Sequence, residues 1–166
     1  MRALLVLSVL AAASANAEEF SGAVVRVVNG DSLMVEFHGQ QVRVRLKEID
    51  APESRQLFGK ASRESLTQIC AKKTARVSWT QLDRNGRTLG RVWCDGIDAN
   101  AEQVRRGMAW VFDRYVTDQT LYPLQDAART QRLGLWSEAN PIPPWDWRAA
   151  KRTQEYRARR SQHVPP

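Results

Sequence analysis

"GAVVRVVNGDSLMVEFHGQQVRVRL", residues 22–46, carries the pattern that decides the fold. A β-branched run stops at the turn signal Asn29–Gly30, and residues 32–37 then alternate between apolar and other side chains. Residues 38–40 form a short hairpin connection, after which residues 42–46 alternate again. The stretch therefore predicts three consecutive strands that share one apolar face.

Downstream of this stretch, helical and extended spacings of apolar residues follow one another. We expect a helix at 59–72, a fourth strand at 74–79, a fifth at 88–94, a second helix ending at Gly107 and an amphipathic helix at 117–133. The pattern by itself indicates an α+β fold with a mostly antiparallel sheet. Five short strands with a helix between the third and fourth further suggest a five-stranded OB-type Greek-key β-barrel with about three packed α-helices.

Residues 1–17 have the features of a secretory signal peptide. Arg2 precedes an apolar run at 3–13, and Ala15-Asn16-Ala17 is an A-x-A cleavage site. The run is too short for a transmembrane helix, and the alternative is a buried N-terminal helix. We expect an exported protein, periplasmic or secreted, that carries no membrane anchor.

The remaining chain divides into one domain and a tail. Residues 18–140 are enough for a single domain with its own core. Residues 141–147 are rich in Pro and Trp and predict packing without regular structure. The basic residues from Arg148 to the end predict a flexible tail whose arginines are solvated or add non-specific phosphate contacts.

The charge of the chain favours a polyanionic partner. Lys and Arg number 25 against 18 Asp and Glu, which gives a net charge of +7 and a pI near 10. Such a balance suits nucleic acid, an acidic polysaccharide or an anionic membrane surface. Arginine greatly outnumbers lysine, and its planar fork suits bidentate contacts with phosphate. Composition alone does not choose among these partners.

The only two cysteines are Cys70 and Cys94, and an exported protein can oxidise them. We expect a disulfide between them; the alternative is two small buried apolar side chains. With only two histidines in addition, and no CxxC or HxxxH spacing, the chain does not fit an ordinary structural zinc site.

Charged residues beside three turns are candidates for chemistry. Asp31 follows the Asn29–Gly30 turn, Asp50 and Glu53 flank a break at a proline, and Arg45 and Arg87 lie nearby in sequence. Carboxylates at strand ends suit a hard cation such as Ca²⁺. Two arginines beside such an ion would clamp a phosphodiester and stabilise the charge that develops in its hydrolysis. Glu53 would act as a general base or position a water.

Each of these residues also has an ordinary structural explanation. An aspartate after Asn-Gly is often only a turn residue that bonds the backbone. Alternation in the third strand places Arg45 away from the apolar face, where a surface ion pair with Glu53 would be worth little. Lys47 and Glu48 are expected to be plain surface residues. Residue types alone leave the structural and catalytic explanations open.

Three segments in unchanged order resemble the staphylococcal nuclease (thermonuclease) family. "NGDSLMVEF" is similar to its D-G-D-T turn, "RLKEIDAPE" to its R-(x4)-D-x-P-E segment, and "DRNGR" to its D-(basic)-x-G-R turn. The resemblance spans roughly residues 24–136, and three motifs in order are far more specific than one. It implies an OB-type barrel that cleaves DNA and RNA phosphodiesters with calcium and leaves 3′-phosphate ends.

The resemblance implies a calcium site at Asp31, Asp50 and Ala51. The two aspartates match the ligating aspartates of the family. Ala51 would contribute its backbone carbonyl, for which alanine serves as well as the threonine that the family often has there. Asn29 replaces the first aspartate of D-G-D-T, which removes a negative charge and is expected to weaken calcium binding.

The resemblance also assigns catalytic and substrate-binding roles. Arg45 and Arg87 match the two arginines that clamp the phosphate, and Glu53 matches the glutamate that activates or orients the attacking water. Arg84 and Tyr115 are predicted to contact the substrate. The loop after Glu53 is shorter than in the family prototype, so affinity and base preference are expected to differ more than the chemistry.

The sequence thus predicts an exported, calcium-dependent nuclease of low sequence specificity that acts as a monomer on DNA or RNA without an obligate protein partner. The alternative is a non-catalytic OB-fold module that binds nucleic acid or another polyanion; a further alternative, a secreted adapter, rests only on the Pro/Trp-rich residues 140–147. Trp110 is left open as a base-stacking residue, which would require an exposed ring.

Overall fold

The first three strands form the meander that the alternating sequence predicts. A computed structural model describes residues 17–161 of the chain. Its elements are β1 (Glu18–Asn29), β2 (Ser32–Phe37), β3 (Gln40–Leu46), β4 (Ile49–Asp50), α1 (Gly59–Cys70), β5 (Thr74–Leu82), β6 (Thr88–Cys94), β7 (Ile97–Asp98), α2 (Ala99–Arg105), β8 (Trp110–Val111), α3 (Leu121–Thr130), a 3₁₀ turn (Gly134–Ser137) and α4 (Pro144–Ser161).

Five strands close into a barrel. The order is β3-β2-β1-β5-β6, and a parallel pairing of β3 with β6 joins the two edges. All other neighbours in the barrel are antiparallel. The predicted α+β fold with a five-stranded OB-type barrel is confirmed, and closure protects the strand edges from pairing with other chains.

The barrel interior holds the apolar residues of the alternating strands. Leu33, Val35, Val44 and Leu46 are fully buried, as period-2 alternation requires. Helix α1 packs on β1 and contributes further buried apolar residues to the same core. Strand register therefore decides which side chains of β2 and β3 leave the core and become available to a site.

A disulfide connects the end of α1 to the end of β6. Cys70 and Cys94 are joined with their Cα atoms 5.1 Å apart and a sequence separation of 24. Closing a loop of this length restricts the unfolded chain and so stabilises the folded state by about 3 kcal/mol.

The C-terminal segment differs from its prediction. Residues 144–161 form helix α4 instead of an irregular segment and a flexible tail, so residues 17–161 hold four α-helices where about three were predicted. The prolines of residues 141–147 indicated irregular structure, but Pro144 is the first helical residue, where a missing N–H costs nothing. Trp145 then stacks on Phe112, with ring centroids 5.2 Å apart. This contact between residues distant in sequence was not visible in the local pattern.

The predicted signal peptide lies outside the described residues except for Ala17. Within residues 17–161, no helix is both long enough and apolar enough to cross a membrane.

A cluster of charges at the start of α3 leads to a prediction about acid stability. Arg91 of β6 binds Asp98 and Asp118, and Asp118 also accepts hydrogen bonds from the hydroxyl and the N–H of Thr120. The Thr120 hydroxyl, and then Arg91, lower the pKa of Asp118 from 3.8 to about 2. A lowered carboxyl pKa stabilises the fold above the unfolded value, and this stabilisation is lost as the pH falls to the folded value.

We therefore expect Asp118→Asn to be less stable than the wild type at pH 6, with the difference in free energy of unfolding shrinking between about pH 4 and pH 2. Urea denaturation across this range measures it, with the exposed Asp126→Asn of α3 as a control. A difference that stays constant from pH 6 to pH 2 would contradict the assignment.

Candidate active site

Asp31 is held by a buried turn between β1 and β2. Gly30 lies so close to helix α1 that a Cβ atom there would be 1.8 Å from Oγ of Ser62. Nε2 of Gln103 donates to the Gly30 carbonyl at 2.6 Å and to the Ser62 carbonyl at 3.1 Å. Asn29 accepts from the N–H of Asp31 at 3.3 Å. The turn is thus fixed from two helices, and the Asp31 side chain cannot swing freely.

Asp50 ends the short strand β4, beside Asp31. β4 pairs with β8, with Asp50 opposite Trp110. The N–H of Ala51 donates to Oδ2 of Asp31 at 2.8 Å, which joins the two acidic segments directly. The side chains of Asp31 and Asp50 are only 2% and 1% exposed. Two carboxylates are therefore buried side by side, and each needs a cation or hydrogen-bond donors.

Arg45 bridges these two carboxylates. Its Nη1 binds Oδ2 of Asp31, and its Nη2 binds Oδ1 of Asp50 at 2.6 Å. Burial lowers the pKa of Arg45, and the charge of Asp50 opposes this shift. The guanidinium stays protonated at any ordinary pH. Alternation in β3 does turn Arg45 away from the barrel core, but the side chain is covered and is not a surface residue.

Arg87 reaches the same edge of the barrel from the turn before β6. Thr88 and Leu89 pair in parallel with Val44 and Arg45, and, in addition to burial, the charge of Arg87 is near enough to contribute to the lowered pKa of Arg45. Asp83 binds the Arg87 side chain through Nε at 2.7 Å and its N–H at 2.9 Å. Burial raises the pKa of Asp83, but these bonds from Arg87 outweigh it and hold the pKa below its usual value. Asp83 thus holds Arg87 in place.

Glu53 carries a contact that the sequence did not predict. Nη1 of Arg148 binds Oε1 of Glu53 at 2.7 Å, and Nη2 binds Oδ2 of Asp50 at 2.7 Å. Arg148 was expected to be a solvated tail residue, but helix α4 brings it across 95 residues of sequence to Glu53. Its position three residues after Trp145, on the same face of the helix, becomes informative only once the helix is known.

Glu48 is a second residue whose predicted position is wrong. It is buried rather than exposed, and its carboxylate accepts from the N–H of Thr117 at 3.0 Å and from the Thr117 hydroxyl. Its carbonyl accepts from the N–H of Phe112 at 2.8 Å. Glu48 therefore attaches the segment before Asp50 to the chain between β8 and α3.

The predicted substrate contacts lie outside this buried group. Arg84 is exposed in the turn before β6, and Tyr115 is exposed with its ring packed against Phe112. Their role as substrate contacts stays a prediction. Trp110 is buried against Trp136 and is a packing residue, not a free stacking platform.

The site fits a hard cation that is held with few protein ligands. Asp31 and Asp50 offer carboxylate oxygens, and the Ala51 carbonyl follows directly; these are the donors that Ca²⁺ prefers. In the described part of the chain, no group of three or more His, Cys, Asp or Glu side chains could hold a metal ion. A bound ion would therefore depend on two carboxylates, backbone oxygen and water.

The chain is similar to known proteins over most of its length. The family model described as staphylococcal nuclease homologue matches residues 43–138, more than half of the chain. The chain belongs to the staphylococcal nuclease family. An uncharacterized endonuclease of Escherichia coli is 46% identical over 134 residues, covering 80% of this chain and 88% of that protein. Micrococcal nuclease of Shigella flexneri is 41% identical over 145 residues, covering 81% and 83%. Protein ParB of Escherichia coli is 40% identical over 159 residues, covering 89% and 90%.

The match to the staphylococcal nuclease family does not include every residue of the charged group. Arg45, Asp50, Glu53 and Arg87 lie within residues 43–138, whereas Asp31 precedes and Arg148 follows them. Both still join the group, because Asp31 accepts from the N–H of Ala51 and Arg148 binds Asp50 and Glu53.

Proposed function

We propose that this protein is an exported, calcium-dependent nuclease that hydrolyses phosphodiester bonds of DNA or RNA with low sequence specificity and leaves 3′-phosphate ends. One observation carries the proposal. The buried carboxylates of Asp31 and Asp50 share the guanidinium of Arg45, Arg148 links Glu53 to Asp50, and Arg87 directly precedes the strand that pairs with β3. The nuclease relatives support the reaction class.

Each residue has a role in the displacement at phosphorus. Asp31, Asp50 and the Ala51 carbonyl would hold Ca²⁺, which when bound supplies positive charge to the phosphoryl oxygens. Glu53 accepts the proton of the attacking water or orients it. Arg45 and Arg87 donate to the nonbridging oxygens and stabilise the charge that they gain in the transition state. Arg87 also favours departure of the leaving oxygen.

Low sequence specificity follows from where these groups point. The charged residues are suited to phosphate, and phosphate contacts position a strand without reading its bases. The net charge of +7 favours association with any polyanionic strand. Arg84, exposed in the turn before β6, and Tyr115, exposed against Phe112, are the proposed contacts to the nucleotide beside the cleaved bond.

The compartment and the oligomeric state are part of the proposal. The Cys70–Cys94 disulfide suits an oxidising compartment, as expected for a periplasmic or secreted protein. The predicted signal peptide would direct export and be removed after Ala17. We also propose that the mature protein acts as a monomer.

The test is cleavage of single- and double-stranded DNA and RNA by the mature protein with Ca²⁺, then with excess chelator. We expect cleavage that the chelator abolishes and that added Ca²⁺ restores. The 3′ ends of DNA fragments should ligate to a 5′-phosphorylated adaptor only after a phosphatase removes their 3′-phosphate. Binding without cleavage under Ca²⁺, Mg²⁺ and Mn²⁺ would instead favour the second candidate, a non-catalytic OB-fold module.

A further inference from the structure

Arg148 bridges a proposed metal ligand and the proposed water-handling residue. Its Nη2 lies 2.7 Å from Oδ2 of Asp50, and its Nη1 lies 2.7 Å from Oε1 of Glu53 and 3.3 Å from Oδ1 of Asp50. One rigid guanidinium therefore fixes the separation and the relative orientation of two carboxylates, as arginine can and lysine cannot.

Packing of helix α4 places Arg148 beside Asp50 and Glu53. Trp145 stacks on Phe112 and meets Trp110 edge-on, with centroids 5.8 Å apart. Just before the helix, Nε2 of Gln56 donates to the carbonyl of Ile142 at 2.7 Å. Trp145 and Arg148 lie three residues apart, on one side of the helix. Packing of the tryptophan thus presents the arginine to the carboxylates.

The charges around Asp50 show why a second cation is needed there. Arg45 occupies Oδ1 of Asp50 and also binds Asp31, so Oδ2 of the buried Asp50 needs another donor; Arg148 supplies it and binds the partly exposed Glu53 as well. Burial lowers the pKa of Arg148, but hydrogen bonds to Asp50 and Glu53 outweigh it and raise the pKa above its usual value. Arg148 is two-thirds covered, unlike the exposed Arg152 one turn later.

We propose that Arg148 is a positioning residue of the active site. It holds the Glu53 carboxylate in the orientation that handles the attacking water, and it neutralises Asp50 until a metal ion shares that carboxylate. The C-terminal helix is then part of the catalytic apparatus, although it lies beyond the segment that matches the family. This inference rests on the proposed function, because it gives Arg148 a part in the same reaction.

Two measurable effects of opposite sign follow. Without Arg148, Glu53 loses its orientation, so kcat should fall by about 10- to 100-fold while KM changes little. Removing a positive charge from beside Asp50 should tighten Ca²⁺ binding by about tenfold, since like charges repel at short range. A residue needed only for folding would not weaken catalysis and strengthen metal binding together.

The experiment compares Arg148→Met, which keeps an apolar stem, with Arg148→Lys and the matched control Arg152→Met from the same helix. Isothermal titration calorimetry gives the Kd for Ca²⁺ without nucleic acid, and cleavage of single-stranded DNA gives kcat and KM. Each change at position 148 is also made in a Glu53→Gln background. Urea denaturation shows whether each variant folds. If Arg148→Met does not fold, Arg148→Lys is used to measure the change in kcat.

We expect both changes at position 148 to lower kcat, Arg148→Met to tighten Ca²⁺ binding, and Arg152→Met to do neither. In the Glu53→Gln background the loss in kcat should largely disappear, because Arg148 acts through Glu53. Equal behaviour of the 148 and 152 variants, or the same kcat loss in both backgrounds, would overturn the proposal.

The two proposals fail in different ways. A wild type that binds Ca²⁺ but cleaves nothing would overturn the proposed function, and the change in Kd would still decide whether Arg148 shares Asp50 with the metal. A wild type that neither binds Ca²⁺ nor cleaves would overturn both.

Discussion

Replacing Glu53 by glutamine should lower kcat for DNA cleavage by roughly a thousandfold, within the range for loss of a general base. Glutamine keeps the size of the side chain and still accepts a hydrogen bond from Arg148, which lies 2.7 Å from the Glu53 carboxylate. It cannot accept the proton of the attacking water. Since the side chain is one-third exposed, the fold should tolerate the change.

Steady-state cleavage of DNA with saturating Ca²⁺ measures this effect, and urea denaturation should show a free energy of unfolding within about 1 kcal/mol of the wild type. Glu64→Gln is the matched control, because Glu64 is exposed on α1 and its ion pair with Lys60 is a loose 3.7 Å. Its kcat should be unchanged. A Glu53→Gln enzyme that retains more than about a tenth of wild-type kcat would exclude Glu53 as the general base.

The fold was predictable because its information is local. Alternation at 32–37 and 42–46 fixes which side chains enter the core, and the Asn-Gly turn between β1 and β2 fixes the register. Once β2 and β3 are placed, the ends of β1 and β4 meet. The nearness of Asp31 and Asp50 therefore follows from strand order together with the motif spacing.

Two parts of the candidate site were not predictable, because they depend on tertiary contacts. Arg148 looks like any other arginine of a basic tail until Trp145 is known to pack on Phe112. Strand alternation ends with β3, before Glu48. At Glu48 the backbone has a positive φ of 66°, and the side chain turns inward to Thr117. In both cases a residue more than 30 positions away supplies the partner, and no local pattern encodes it.

Replacing Arg45 by methionine should be the most damaging change to stability in the site. Asp31 and Asp50 are almost completely buried, and each gives one oxygen to Arg45. Removing one member of a buried ion pair leaves an uncompensated charge and costs about 3–5 kcal/mol. Arg148 still binds Asp50, and the Ala51 N–H still binds Asp31, so the loss should not reach complete unfolding. Urea denaturation in chelator measures it.

Adding Ca²⁺ should show whether Arg45→Met loses stability because of charge or because of lost packing. In Arg45→Met the two carboxylates lack their shared cation, so a bound Ca²⁺ would take over its charge and stabilise the folded state by mass action. We expect millimolar Ca²⁺ to recover more stability in Arg45→Met than it adds to the wild type, while kcat stays at least about a hundredfold low because a phosphate-stabilising donor is missing. Arg43→Met, exposed on the same strand, should show neither effect. If Arg45→Met lost stability that Ca²⁺ failed to restore, packing and not charge would be the main role of Arg45, and the pair of aspartates would not be the metal site.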